Sequence, residues 1–185
     1  FLNYKDFANE INKICEKSKN SICFFSGYDC DSLALEKVTN FSKYFIELFK
    51  GLEDHFLEIR TKSANVAFLK NIKVSQNVII AFSLNPDEIV TEFETKTPSL
   101  KKRIDSILFL QSLGWKVGLR FDPVMYSDNF KKTYKFFFRE IFKNINSKEI
   151  HSITIGSFRM PKKFFSKLSK IRPFDSFLYQ NNNLN

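Results

Sequence analysis

The chain has 185 residues, 29 Lys or Arg against 20 Asp or Glu, and a formal net charge of +9. With 43% hydrophobic and 26% charged residues, the composition is that of a globular chain long enough to bury a sizeable core, and it excludes a disordered one. No apolar run approaches the roughly 18–20 residues of a helical membrane span, and no signal-peptide pattern opens the sequence.

One domain, residues 1–178, is therefore expected, followed by a low-complexity polar tail at 179–185, with no membrane partner. The chain opens on Phe1 inside what already reads as structured sequence, so it is taken as a piece of a longer protein, most simply a monomer. The surplus of basic charge fits a nucleic-acid partner. It fits equally the Lys-, Asn-, Ile- and Phe-rich drift of a low-GC genome. Cys15, Cys23 and Cys30 suit a reducing cytoplasm, and their spacing matches no zinc or iron–sulfur pattern, so no metal ligand is assigned.

In chain order, residues 4–17 read as a helix with Phe7, Ile11 and Ile14 at helical spacing. Residues 21–25 form a first strand, apolar on both sides as a buried parallel strand should be. Asp31 or Ser32 caps a helix over 33–50 that stops at Gly51. A second strand spans 55–60, a short helix 65–70, and a third strand 77–82, whose extension Pro86 blocks. A helical turn near 87–90 precedes Thr97-Pro98, read as an N-cap with Pro at the first helical position. Leu100, Ile104, Ile107 and Leu108 form one face of that helix, and Gly114 ends it. A fourth strand, 115–121, is stopped by Asp122-Pro123. Asp128 opens a helix whose stripe of Phe130, Tyr134, Phe137, Phe138 and Ile141 is core packing. A fifth strand over 151–155 and a lysine-rich helix over 161–170 complete the pattern. His55 and His151 fall at the strand ends away from the polar loops.

Each strand ends in polar residues: Ser26-Gly27, Arg60-Thr61-Lys62-Ser63, Ser83-Leu84-Asn85, Asp122 and Gly156-Ser157. Polar groups gathered past every strand, with no Gly-x-Gly-x-x-Gly and no phosphate loop, favour a parallel (β/α) barrel working at its C-terminal rim over a doubly wound sheet. Five apolar strands account for part of such a barrel. The fold expected is thus α/β, a partial parallel barrel, with Ser26, Lys62, Ser83, Asp122 and Ser157 together at one end of the sheet.

Four segments in order carry a resemblance. They are Ser26-Gly27 through Asp31-Ser32-Leu33-Ala34-Leu35-Glu36; Arg60-Thr61-Lys62-Ser63-Ala64-Asn65-Val66; Phe82-Ser83-Leu84-Asn85-Pro86 with Thr97-Pro98-Ser99-Leu100; and Gly118-Leu119-Arg120-Phe121-Asp122-Pro123-Val124-Met125-Tyr126. Together the chain, from about residue 1 to 165, resembles the spore photoproduct lyase family of radical SAM proteins. The resemblance implies a partial barrel of the radical SAM type, here missing its first strand. It also implies S-adenosylmethionine (SAM) across the strand ends, and a [4Fe–4S] cluster that reduces SAM to a 5′-deoxyadenosyl radical for repair of DNA pyrimidine photoproducts. By the same resemblance Lys62 lies by SAM, where its charge suits the methionine carboxylate, Ser83 and Asn85 hydrogen-bond SAM, and the Gly27 loop approaches the amino group. Asp31 matches an Asp beside that loop, although capping alone would explain it.

Two departures stand out. The Cys-x-x-x-Cys-x-x-Cys loop of the family is absent, so the cluster ligands are expected in the full-length parent and the fragment alone should be inactive. Tyr28 stands where many relatives carry an acidic residue. Cys30 lies one residue past the position of the family's hydrogen-donating cysteine, and reads either as that donor or as a weakly constrained loop thiol. Arg159 reads either as a rim residue that meets a phosphate or as a surface arginine. Two other readings stand beside the enzyme fragment: a cluster-less module that binds SAM or nucleic acid without catalysis, and a phosphate-binding barrel of another class.

Overall fold

The computed structural model describes residues 3–27, 30–126 and 129–171. The Tyr28-Asp29 part of the first loop, the helix start expected at Asp128, the domain end expected at 178 and the polar tail lie outside the described residues. Five strands, β1 (Cys23–Ser26), β2 (Phe56–Thr61), β3 (Val78–Ser83), β4 (Lys116–Val124) and β5 (Ile150–Ser157), pair in sequence order, every neighbour parallel. The helices are α1 (Tyr4–Lys17), α2 (Glu36–Thr39), α3 (Phe41–Lys50), α4 (Asp87–Phe93), α5 (Leu100–Ser112), α6 (Phe130–Asn144) and α7 (Lys162–Ile171), with a 3-10 turn at Ala67–Asn71. This is the alternation expected, and among the described residues the order leaves β1 and β5 as the two edges of the sheet.

The period of two along each strand divides the sheet into faces. Leu57 and Ile59 on β2, Val78, Ile80 and Phe82 on β3, and Val117, Leu119 and Phe121 on β4 all join the buried core with Phe45, Phe49, Ile107, Leu110, Tyr134, Phe137 and Ile141 from the helices. The aromatic stripe of α6 is thus packing: Phe137 and Phe138 both meet the Phe121 ring edge-on. The alternate residues, among them Glu58, Arg60, Ala81, Ser83, Gly118, Arg120 and Asp122, face the other way and form the inner face.

Several expectations need correction. The helix expected over 33–50 is broken, because Asn40 takes a left-handed backbone (φ 50°), a conformation Asn tolerates. The break is held by Glu36, buried, whose carboxylate accepts from the Ser42 and Lys43 amides and so caps α3 from the preceding helix. Asp122-Pro123 does not stop β4, which continues to Val124 with a register shift against β5. Ser99, not Thr97, caps α5, its hydroxyl accepting from the Lys102 amide, and Pro98 lies outside the helix. Leu108 is exposed, while Arg103 takes a place on the buried face of α5. Gly114 does end that region, with φ +84°. His55 is buried, and its Nδ1 accepts from the Ile22 amide, a packing role.

Candidate ligand-binding site at the strand ends

The loop after β1 is shaped by Gly27 and Asp31. Gly27 has φ +84°, and a Cβ there would stand 2.6 Å from both the Arg60 carbonyl oxygen and Ser32 Oγ. Only glycine lets the loop lie this close to β2. The hydroxyls of Ser26 and Ser32 meet at 2.5 Å. Asp31 Oδ1 accepts from the Leu33 and Ala34 amides and from Thr61 Oγ1, and Oδ2 accepts from the Lys62 amide at 2.6 Å. Asp31 is therefore committed to joining the first loop to the end of β2; it does not cap a helix as expected, since α2 begins only at Glu36 and the Leu33 and Ala34 amides it holds belong to the turn before it. It also fixes the backbone from which the Lys62 side chain departs.

Lys62 Nζ stands 2.9 Å from Glu94 Oε1. Asn85 Nδ2 donates to the same oxygen at 3.0 Å, while Arg103 Nη2 pairs with Glu94 Oε2. Arg103, fully buried, spends its other donors on the carbonyls of Ser83 and Pro98 and on Thr97 Oγ1. Burial pushes the Glu94 carboxyl up, but hydrogen bonds from Asn85 and Lys62 and the charges of Lys62 and Arg103 outweigh it and hold the group below its ordinary 4.5. One carboxylate thus ties the ends of β2 and β3 to the start of α5. Two features are left over. The Lys62 side chain is 36% exposed. Asn85, only 2% exposed, has its Oδ1 buried without a hydrogen-bond donor among the described residues. A buried acceptor without a partner costs free energy unless something else supplies the proton.

Of the residues named from sequence, Lys62 and Asn85 meet on Glu94, Ser83 is tied to the same group through its carbonyl, and Gly27 lies against the backbone of β2. Ser26, Lys62, Ser83, Asp122 and Ser157 all fall at the C-terminal ends of their strands, as expected. Cys30 is exposed, and among the described residues no hydrogen bond ties its thiol to this group. Arg159 is exposed beyond β5, and His151 stands at the opposite end of that strand.

Sequence reasoning passed over Glu94 and Arg103, and a second charged group on the inner face. There Arg120 pairs with both Glu58 oxygens, Nε at 2.9 Å and Nη2 at 2.6 Å, and Arg60 Nε reaches Glu58 Oε1 at 2.6 Å. Gly118 makes the room, since a Cβ there would stand 2.8 Å from Arg120 Nη2. Burial pushes Glu58 up, and the hydrogen bonds and charges of Arg120 and Arg60 outweigh it and hold the carboxyl below 4.5. A signal existed for both groups. Arg103 follows Leu100 by three and precedes Ile107 by four, on the core face of a helix. Glu58 and Arg120 interrupt apolar strand runs. A charge at such a position must find a partner.

Five parallel strands with helices on one face, and polar side chains converging past the strand ends, define a partial parallel (β/α) barrel. A family model described as spore photoproduct lyase matches residues 1–172, and the chain belongs to that family. It is 27% identical over 173 residues to the spore photoproduct lyase of Clostridium acetobutylicum, covering 93% of this chain and 51% of the relative. To the Bacillus subtilis spore photoproduct lyase it is 23% identical over 171 residues, covering 92% and 49%. The chain thus spans about half the length of these relatives. Among solved structures, a spore photoproduct lyase double mutant with bound AdoMet and dinucleoside spore photoproduct superposes with a TM-score of 0.84 at 19% identity, covering 94% of this chain and 52% of that one. A spore photoproduct lyase complexed with dinucleoside spore photoproduct gives 0.83 with the same coverage. At such identity these likenesses establish the fold. No helix among the described residues is long and apolar enough to cross a membrane.

Proposed function

We propose that this chain is the SAM-binding barrel unit of a cytoplasmic radical SAM enzyme of the spore photoproduct lyase type, acting on pyrimidine photoproducts in DNA. The observation that carries the reading is that one carboxylate holds both the part-exposed Lys62 cation and the Asn85 amide nitrogen, while Asn85 Oδ1 is a buried acceptor lacking a donor among the described residues. SAM offers a carboxylate for the first and hydroxyl donors for the second. Ser83 and the backbone of the Gly27 loop stand at the same rim to position the rest of the molecule. When bound and reduced, SAM supplies the radical chemistry of such enzymes. What these residues do is hold its charged end and orient it over the strand ends.

An iron–sulfur cluster does not fit the described residues. Cys15 lies on α1, Cys23 on β1 and Cys30 in the loop after it, and among the described residues no three His, Cys, Asp or Glu side chains gather as a metal site.

Calorimetric titration of the chain with SAM tests the reading. Lys62→Met keeps the aliphatic stem and removes the charge, and should weaken binding by about 2–3 kcal/mol, roughly 30- to 150-fold. Asn85→Ala should weaken it by about 1 kcal/mol. Equal affinity in wild type and both variants would remove this rim from the cofactor site.

A further inference from the structure

The charged group on the inner face has a surplus that the rim site does not use. Arg120 alone satisfies both oxygens of Glu58, and its remaining donors are spent on the Leu119 and Ser152 carbonyls and on Ser152 Oγ. Arg60 adds a second cation to a carboxylate already paired. It uses only Nε, so both Nη groups are without an acceptor among the described residues. The Glu58 bond fixes the guanidinium plane and leaves its Nη edge open, with the side chain 27% exposed. Two arginines against one glutamate leave one positive charge, and the open edge of Arg60 is where it can be met. The guanidinium also stands 5.0 Å over the ring of Phe25 on β1, and that ring is 56% exposed.

We propose that Arg60 and Phe25 form a substrate subsite for a nucleotide on the inner face. The Arg60 fork receives a phosphate oxyanion, and Phe25 offers its free surface to the neighbouring base. This rests on the reading of the chain as part of an enzyme acting on DNA. A planar fork with two free donors matches a phosphate bidentately, and an exposed aromatic ring beside it is the usual companion for a base. A purely structural ion pair would need neither the second arginine nor the exposed ring.

The probe is thymidylyl-thymidine, whose linkage carries one negative charge, against its uncharged methylphosphonate-linked isostere, each radiolabelled and measured by equilibrium dialysis with the full chain. Wild type is expected to hold the charged form about tenfold more tightly, the order of one charge-assisted contact. Arg60→Gln should erase the difference, and Arg60→Lys, which keeps the charge but loses the fork, should retain part of it. Phe25→Leu should weaken both forms alike and leave their ratio intact. Inorganic phosphate should compete with the charged form in wild type and not in Arg60→Gln. No discrimination by wild type, or discrimination that survives in Arg60→Gln, overturns the phosphate subsite. Unchanged binding in Phe25→Leu overturns the stacking half. A wild-type chain that binds SAM without discriminating sinks this inference alone, whereas one that discriminates without binding SAM sinks the proposed cofactor site alone.

Discussion

Glu58→Gln is the substitution that most directly tests how the inner face is held. Glu58 and Arg120 both have side chains 5% exposed, so their pair is formed away from water. Removing the negative charge leaves Arg120 with three neutral acceptors from Leu119 and Ser152 and no counter-ion. Breaking a buried pair from one side costs about 3–5 kcal/mol. That is a large share of the roughly 5–15 kcal/mol that separates folded from unfolded domains. Arg60→Gln should cost only about 1 kcal/mol, because Arg60 gives a single bond to Glu58 and keeps access to water. Replacing both members, Glu58→Leu with Arg120→Leu, should recover most of the loss, since neither charge is then stranded. Urea unfolding followed by circular dichroism separates the three. The pH dependence has a definite sign. The folded carboxyl titrates below 4.5, so its stabilisation is present above the unfolded value and disappears as pH falls through the folded one. The gap between wild type and Glu58→Gln should close on acidification below pH 4.5. A Glu58→Gln midpoint equal to wild type at pH 7, or a gap that does not narrow in acid, would refute the reasoning.

Four further substitutions bear on the rim. Gly27→Ala should lower stability by about 1–3 kcal/mol, read as a fall in thermal midpoint, because φ +84° and a Cβ 2.6 Å from the Arg60 carbonyl oxygen oppose it together. Asp31→Ala removes the acceptor of two loop amides, Thr61 Oγ1 and the Lys62 amide, and should cost about 2–3 kcal/mol in urea unfolding. Arg103→Met leaves Glu94 with only Lys62 and Asn85 as partners and takes the donor from the Ser83 and Pro98 carbonyls, and should destabilise by about 2–3 kcal/mol. Lys62→Met, whose partner Glu94 keeps Arg103, should unfold within about 1 kcal/mol of wild type.

Much of the architecture was legible because it depends on local pattern. Continuous apolar runs of strand length separated by helical periods allow few arrangements other than parallel strands with crossover helices, and α1 was read at its observed bounds. The break at Asn40 was not legible, since a left-handed residue between two helical stretches leaves no mark on hydrophobic spacing. Asp122-Pro123 misled in the other direction. Pro lacks an amide donor, and that ordinarily ends a central strand, yet β4 absorbs it where its register against β5 shifts. At the site, Lys62 stood out at the polar end of a strand run, and the family resemblance marked it together with Asn85. Glu94 did not stand out, because it lies in a polar connection after α4. Only the fold shows that its carboxylate gathers donors from β2, the loop after β3 and α5.

The rim and the inner face solve the same electrostatic problem in the same way. In each, a buried carboxylate is held ionised by two cations, one of them sealed in the protein and the other partly open to solvent: Arg103 and Lys62 on Glu94, Arg120 and Arg60 on Glu58. A single cation would neutralise each carboxylate and leave nothing for a ligand. A second exposed cation without the carboxylate would be a mobile side chain that loses rotamer freedom whenever it binds. With both present, the sealed cation meets the cost of burying the carboxylate, and the carboxylate fixes the open cation before any ligand arrives. At the rim, a ligand carboxylate must compete with Glu94 for Lys62, so affinity there reflects an exchange of partners. On the inner face, the Nη edge of Arg60 is already free, and an oxyanion meets it without displacing Glu58. Salt should therefore weaken ligand binding on the inner face as a simple loss of one charge contact, while the rim, where one ion pair replaces another, should respond less steeply.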